Sequence, residues 1–283
     1  IGQVMCDRPE LIAYLQRVFG YSLTGLTREQ CLFIGHGTGS NGKSTLVNIV
    51  RQILGDYSLA CAAETLMVKQ NGGLTNDIAR LRGARFVAVS EVEDGQRLAE
   101  SLVKQLTGED VVTARRLYRE SEEFIPEMKL FISANHRPII PNSDYSIWRR
   151  IQLIPFDRTF SEDERDQDLG QKLKAELPGV LNWMLEGLDA YQKQGLGVPA
   201  AVKAATDQYR SEQDVIGQWL DENCARHSDA HTQSRVLYLD YSIWAKLGGR
   251  VPMNEMRFGL RLKELGIPKS KRGGVNVYHG IFL

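Results

Sequence analysis

No stretch of this 283-residue chain approaches the roughly 18 consecutive apolar residues that a membrane-spanning helix requires, and no basic-then-apolar leader is visible in it. A cytoplasmic protein is therefore the expectation. Cysteine is sparse. The four cysteines, at 6, 31, 61 and 224, form no C-x-x-C pair and have no histidines at ligand spacing, so neither a zinc site nor a disulfide framework is suggested. Excess charge of either sign is also lacking, because 35 Lys and Arg balance 35 Asp and Glu. This argues against a chain coated in basic surface, and any nucleic-acid contact must be local. The first residue is Ile1 rather than Met, so further sequence is expected upstream.

What is present is an ordinary core-forming composition, 42% hydrophobic and 25% charged, at a length that holds one large or two modest domains. The chain is organised around Cys31 to Thr45, CLFIGHGTGSNGKST. An apolar run breaks into glycines, and an amphipathic segment opens at Lys43, which reads as strand, loop, helix. Taken as Gly37-x4-Gly42-Lys43-Ser44, it is a P-loop. Its backbone amides and helix N-terminus would wrap a triphosphate through Gly37, Thr38, Gly39, Ser40, Asn41, Gly42, Lys43, Ser44 and Thr45. Lys43 would reach the β- and γ-phosphates of ATP, and Ser44 would place its hydroxyl on Mg²⁺. The same loop contains Gly37-x-Gly39-x-x-Gly42, the dinucleotide fingerprint, with Glu64 near the distance of its acid. That reading, like a ligand-free glycine turn, leaves the Lys-Ser pair unexplained.

Upstream, Asp7 to Gly20 has a cap, Pro9 and apolar positions at helical spacing. Downstream, RFVAVS (85–90) reads as a buried strand ending in Glu91-Val92-Glu93-Asp94. A P-loop ATPase needs a carboxylate at such a strand tip, which makes Glu91 the catalytic and metal-side candidate and Glu93 a helper. Residues 57–84 read as connection with a helix near Asn76 to Leu81. Val111 to Arg116 and Glu123 to Ile125 flank a hairpin tip. There Arg115, Arg116, Tyr118 and Arg119 suit a single-strand backbone and a stacked base, the plain alternative being a charged strand edge. KLFISA (129–134) is a third buried strand ending in Asn135, fit to orient water against a γ-phosphate. Arg149 and Arg150 precede a further strand, IQLIPF. A cation there could reach a neighbouring subunit's phosphates.

The last third is helical from about Ser161, with leucines every three or four residues. From Val215 three helices and a Gly-rich tail describe a winged helix. Between Arg250 and Leu283, seven Lys or Arg face two Glu. Asn254, Arg257, Arg261 and Lys263 on a recognition helix from Pro252 to Leu265, and Lys269, Lys271 and Arg272 in the wing, become candidate DNA contacts. A protein-docking winged helix is the alternative.

These pieces in this order resemble a superfamily 3 helicase of the AAA+ class, specifically the C-terminal part of phage and plasmid primase-helicases related to the poxvirus primase-helicase. The residues carrying the resemblance are GTGSNGKST, VAVSEVE, LVKQLTGEDVVTARRLY, FISANHRP and IWRRIQLIPF, over some two hundred residues. The resemblance implies an α/β fold: an AAA+ P-loop core with a parallel-type sheet flanked by helices, helical subdomains on both sides, and a C-terminal winged helix. The expected domains are 1–30, 31–158, 159–214 and 215–283. It implies a hexameric ring that hydrolyses ATP between subunits and moves 3′ to 5′ on single-stranded DNA in replication of a mobile element, in a bacterial or phage-infected cell. Lys43 and Ser44 take the phosphate and Mg²⁺ roles, Glu91 activates water, Asn135 is the sensor and Arg150, then Arg149, the finger. Lys104, with the hairpin residues, lines the channel, and the winged helix takes duplex DNA or replication proteins. Ser90 departs from the acid common at its place in other branches. A P-loop small-molecule kinase and an origin-melting protein without processive unwinding are the alternatives.

Overall fold

A computed structural model describes residues 1–68, 75–140 and 145–283, and divides them into two compact units, Ile1–Gln208 and Tyr209–Leu283. In the first unit α1 (Pro9–Ser22) starts on a proline whose fixed φ suits a first helical turn, and it buries Leu11, Tyr14, Leu15, Val18 and Phe19. Then follow β1 (Leu32–His36), α2 (Lys43–Leu54), β2 (Ser58–Cys61), α3 (Thr75–Ala79), β3 (Phe86–Val89) and α4 (Glu100–Leu106). The antiparallel pair β4 (Val112–Arg115) and β5 (Ser121–Phe124) leads to β6 (Lys129–Ala134), α5 (Tyr145–Trp148) and β7 (Ile151–Pro155). Three helices follow, α6 (Leu169–Ala175), α7 (Leu177–Gln194) and α8 (Ala200–Gln213).

β2, β3, β6, β1 and β7, in that order, form one sheet in which every pairing is parallel. β1, β3 and β6 are buried along nearly their whole length and centre on apolar runs instead of alternation, as strands covered on both faces do. Register aligns the strand ends: His36 faces Ala134, and Val89 faces Ile132. The loops after β1, β3 and β6 consequently leave the sheet at one edge.

The core beneath that edge is aromatic. Phe19 meets Phe86, Phe131 and Trp183 with ring centroids 5.9 to 6.5 Å apart. α1 and α7 cross at backbone contact, because a Cβ on Gly20 would stand 2.2 Å from the Leu188 nitrogen and one on Gly187 2.0 Å from the Gln16 carbonyl oxygen. No side chain fits at either place.

The second unit holds α9 (Val215–Asn223), β8 (Ala225–Gln233), α10 (Ser234–Leu247), α11 (Glu255–Glu264), β9 (Lys269–Arg272) and β10 (Val275–Phe282). The three strands form an antiparallel sheet ordered β8, β10, β9. Gly273 and Gly274, with φ of +58° and +81°, make the two-residue turn between β9 and β10, a conformation that requires φ above zero at both positions. Trp219, Tyr241, Phe258 and Leu262 form its core, and Trp219 Nε1 donates to Asp240 at 2.7 Å.

Two strands differ from the expectations above. Ser58–Cys61, expected as connection, is the edge strand β2, and the polar stretch Ala225–Gln233 is β8, expected as neither helix nor strand. β2 has an apolar run of only three residues and β8 has none, and each is paired to a neighbouring strand. Among the described residues no helix is long and apolar enough to cross a membrane.

Candidate functional site

The glycine-rich loop between β1 and α2 is shaped by three constraints. A Cβ on Gly37 would lie 2.2 Å from the Phe156 carbonyl oxygen, Ser40 takes φ of +59°, and Gly42 takes φ of +83° where α2 begins. Asn41 ties the loop internally: its Nδ2 donates to the Thr38 carbonyl, and its Oδ1 accepts from the Lys43 amide at 3.3 Å. The strand-β7 side closes on it as well, with Phe160 N donating to Ser40 O at 2.8 Å and the Thr38 and Thr159 hydroxyls 3.2 Å apart.

Lys43 is buried, yet its Nζ is hydrogen-bonded, donating to Gly37 O at 2.6 Å and to Asn135 Oδ1 at 3.1 Å. Asn135 in turn donates through Nδ2 to Glu91 Oε1. An ammonium, an amide and a carboxylate from three neighbouring strand ends are thus linked in series. Burial lowers the Lys43 pKa, and the Glu91 charge works against that shift. A cleft of 280 Å³ opens beside them, lined by Gly39, Ser40, Asn41, Lys43, Ser44, Ser90, Glu91 and Asn135 among others. Of the loop residues singled out in sequence, Gly37, Thr38, Gly42 and Thr45 do not line it, and neither does Glu93. Ser90 Oγ accepts from the Ala63 amide at 3.0 Å, so it ties β3 to the segment after β2.

Sequence reasoning passed over part of this cleft. Asn48 and Arg51 line it from α2, on the face set by Ser44 at i+4 and i+7. That helical spacing was the available signal. Arg51 Nε is buried with no hydrogen-bond partner among the described residues.

Arg149 and Arg150 stand at the far edge of the sheet. β1 and β7 run parallel with Leu32 opposite Ile151 and His36 opposite Pro155, so the pair lies about 20 Å of strand length from the loop after β1. Arg150 is buried, at 8% exposure, and donates to Ser146 O at 2.8 Å and to Gln30 Oε1 at 3.1 Å. Arg149 is exposed and donates to the same Gln30 oxygen at 2.6 Å. Burial and these bonds hold Arg150, ranked ahead of Arg149 in sequence, within its own fold, and leave Arg149 the exposed one of the pair. No sequence signal marked Gln30.

At the β4–β5 tip, Tyr118 is 99% exposed with φ of +60°. Arg115 Nε donates to Arg119 O at 2.8 Å, while Arg116 pairs with Glu122, which Arg82 also holds, each at 2.9 Å. Hydrogen bonding from Arg82, then the charge of Arg116, keeps the Glu122 carboxyl below its usual range. Lys104 is half-buried on α4.

In the second unit Arg257, Lys271 and Arg272 are exposed, and Arg272 lies 2.9 Å from a His231 ring nitrogen. Arg261 is committed elsewhere, bonded to Asp214 at 3.1 Å and Glu264 at 3.0 Å with 16% of its side chain exposed. Asn254 caps α11 by accepting from the Arg257 amide at 2.9 Å. Both side chains, expected as contacts, have bonding partners within the unit.

The fold and this linked trio define a parallel α/β protein with a polar cleft at the carboxyl edge of its sheet. Residues 35–150 match the model of a family of unknown function, DUF5906. The chain is 27% identical over 254 residues to "Putative helicase L207/L206" of Acanthamoeba polyphaga mimivirus, covering 82% of this chain and 26% of that protein. It is 28% identical to "Putative helicase 022R" of Frog virus 3, with 74% and 23% covered, and 29% identical to "Putative primase C962R" of African swine fever virus, with 79% and 26% covered. It spans about a quarter of the length of these relatives. Among solved structures, the apo C-terminal region of NrS-1 shares the fold at a TM-score of 0.54 and 13% identity, covering 99% of this chain and 74% of that one. Relatives named as helicases and primases of large DNA viruses support the superfamily 3 primase-helicase resemblance drawn from the motifs.

Proposed function

We propose that this chain is the ATP-driven helicase part of a primase-helicase that replicates a virus, phage or other mobile element. Residues 31–158 act as an AAA+ core, flanked by the helical segments 1–30 and 159–214, and residues 215–283 as a winged helix. The observation that carries the reading is the Lys43–Asn135–Glu91 chain at one sheet edge, because it joins a phosphate-binding cation to a carboxylate able to take a proton from water. The loop amides and Lys43 bind the ATP phosphates. Asn135 orients water, and Glu91 accepts its proton. Ser44 and Glu91 offer Mg²⁺ two oxygens facing the cleft, which suits an ion that keeps waters and phosphate oxygens as its other ligands. When bound, Mg²⁺ neutralises charge on the phosphate oxygens.

Arg149 stands too far from its own loop to serve it, which favours action on an adjacent protomer's nucleotide and hence a ring, in this reading a hexamer. The exposed Tyr118 with Arg115 and Arg119 suits single-stranded DNA in the ring's channel. The test is strand displacement on 3′-tailed and 5′-tailed forks, with particle sizing in ATP and Mg²⁺. ATP-dependent unwinding of the substrate loaded on a 3′ tail, by a ring, is expected. Duplex binding without unwinding would turn the assignment to an origin-melting protein, and ATP turnover indifferent to DNA would turn it to a small-molecule kinase.

A further inference from the structure

The outward face of α11 carries a groove where a DNA-reading helix would carry donors. Met256 and Leu260, 73% and 55% exposed, stand one turn apart, and Lys263 continues the same face at the next turn. Together with Ile267, Pro268 and Lys269 they line a groove of 700 Å³ that lies within the second unit. Scattered exposed apolar residues are ordinary on a protein surface, whereas a continuous apolar groove beside cations marks a binding site. Tyr278 forms part of its wall, with Lys269 Nζ 5.1 Å from the ring centre. The Tyr278 hydroxyl lies against Gly259, where an added Cβ would be 3.1 Å away, and it has no hydrogen-bond partner among the described residues.

Duplex DNA fits this face poorly. Base edges are read by bidentate polar groups, but Arg261 is held by Asp214 and Glu264, and Asn254 is held by the Arg257 amide. Glu255 also lines the groove and partly offsets Lys263 and Lys269, leaving its lining net cationic by one charge.

We propose that the α11 groove docks a short segment of a protein partner in which large apolar side chains stand next to carboxylates. The apolar side chains lie along Met256, Leu260 and Ile267, and the carboxylates meet the exposed ammonium groups of Lys263 and Lys269. This extends beyond the helicase assignment and does not depend on it. A random 12-residue peptide library displayed on phage is panned against the full 283-residue chain, and the selected peptides, labelled with fluorescein, are titrated by anisotropy. Enriched peptides are expected to combine Leu, Phe or Trp with Asp or Glu. They should lose about tenfold or more in affinity for Leu260→Asp, which corresponds to about 1.4 kcal/mol. The double variant Lys263→Glu/Lys269→Glu should invert the preference towards basic peptides. Both changes are at exposed positions, and unchanged far-UV circular dichroism with retained peptide binding by Lys43→Ala separates docking from folding and from the nucleotide cleft. Peptides indifferent to these variants, or no enrichment at all, would overturn the proposal. So would loss of duplex DNA binding in Leu260→Asp, which would make the groove a DNA face.

Discussion

Asn135 at the tip of β6 donates its side-chain amide to Glu91 at the tip of β3, and through Oδ1 it also accepts from Lys43 at 3.1 Å. One side chain thus sets the orientation of the carboxylate and holds the cation. If Glu91 takes the proton of the attacking water, Glu91→Gln lowers ATP turnover by about 10²-fold or more while nucleotide affinity stays near that of the parent. Asn135→Ala removes the orienting donor and lowers turnover in the same direction without changing the melting temperature. Steady-state ATPase rates beside fluorescent-nucleotide titrations check both. Parental turnover in either variant would remove this chain of bonds from the chemistry.

The two arginines at the opposite edge should separate into one that stabilises and one that acts. Arg150→Ala leaves the Gln30 oxygen and the Ser146 carbonyl short of a buried donor, and costs about 1–3 kcal/mol of stability, read as a lower denaturation midpoint. Arg149→Ala removes an exposed group and shifts stability by no more than about 0.5 kcal/mol. Yet it should abolish ATP turnover in the assembled protein. Mixing Arg149→Ala with Lys43→Ala protomers should restore part of the rate, because an intact loop from one then meets an intact arginine from the other. An inactive mixture would argue against catalysis shared between protomers.

These contrasts show where sequence reasoning reached and where it stopped. β1, β3 and β6 were legible because strands covered on both faces are built on apolar runs, and the residues following them, Lys43, Glu91 and Asn135, were placed at one edge by the sequence pattern. Ser58–Cys61 was not legible. It is a four-residue edge strand, paired on one side only, with a serine, an alanine and a cysteine in it. Ala225–Gln233 is more polar still, and its strand character comes from its partner β10. The hairpin was legible from its charged tip, but that Asn254 caps α11 and that the Arg261 side chain turns to Asp214, 47 residues away in sequence, was not. Both adjacent arginines bond Gln30, 120 residues distant from Arg150, while only Arg150 is buried. Local pattern carries no information about such partners.

The hairpin tip offers a clean measurement because Tyr118 touches so little of its own protein. Base stacking on an exposed aromatic contributes about 1–3 kcal/mol per base. Tyr118→Ala is therefore expected to weaken binding of a fluorescent oligo-dT by about 5- to 150-fold, whereas Tyr118→Phe, which keeps the ring, stays close to the parent. Arg115→Ala with Arg119→Ala should flatten the dependence of affinity on salt, since fewer phosphates are neutralised. Equal affinity across all these variants would place single-stranded DNA elsewhere on the molecule.

Lys129 yields the last prediction, one of pH. It opens β6 with 2% of its surface exposed, and its Nζ donates to the carbonyls of Thr24, Leu26 and Glu127 while lying 4.8 Å from the Tyr21 ring centre. Burial, then the nearby Arg85 charge, lowers its pKa from 10.5 to about 7, with Glu127 opposing. Because the folded value lies below the unfolded one, the unfolded chain binds more protons between pH 7 and 10.5, and stability must rise with pH across that window. The gain between about pH 7 and 9 is on the order of 2 kcal/mol from this group alone. Below pH 7 both states hold the proton and the contribution is flat. Urea unfolding at half-unit steps from about pH 6.5 to 9 should show the rise, and Lys129→Met, which keeps the length of the side chain without its charge, should remove it. A variant that rises as steeply as the parent would mean that the ammonium stays protonated throughout, held by its three carbonyls and the tyrosine face.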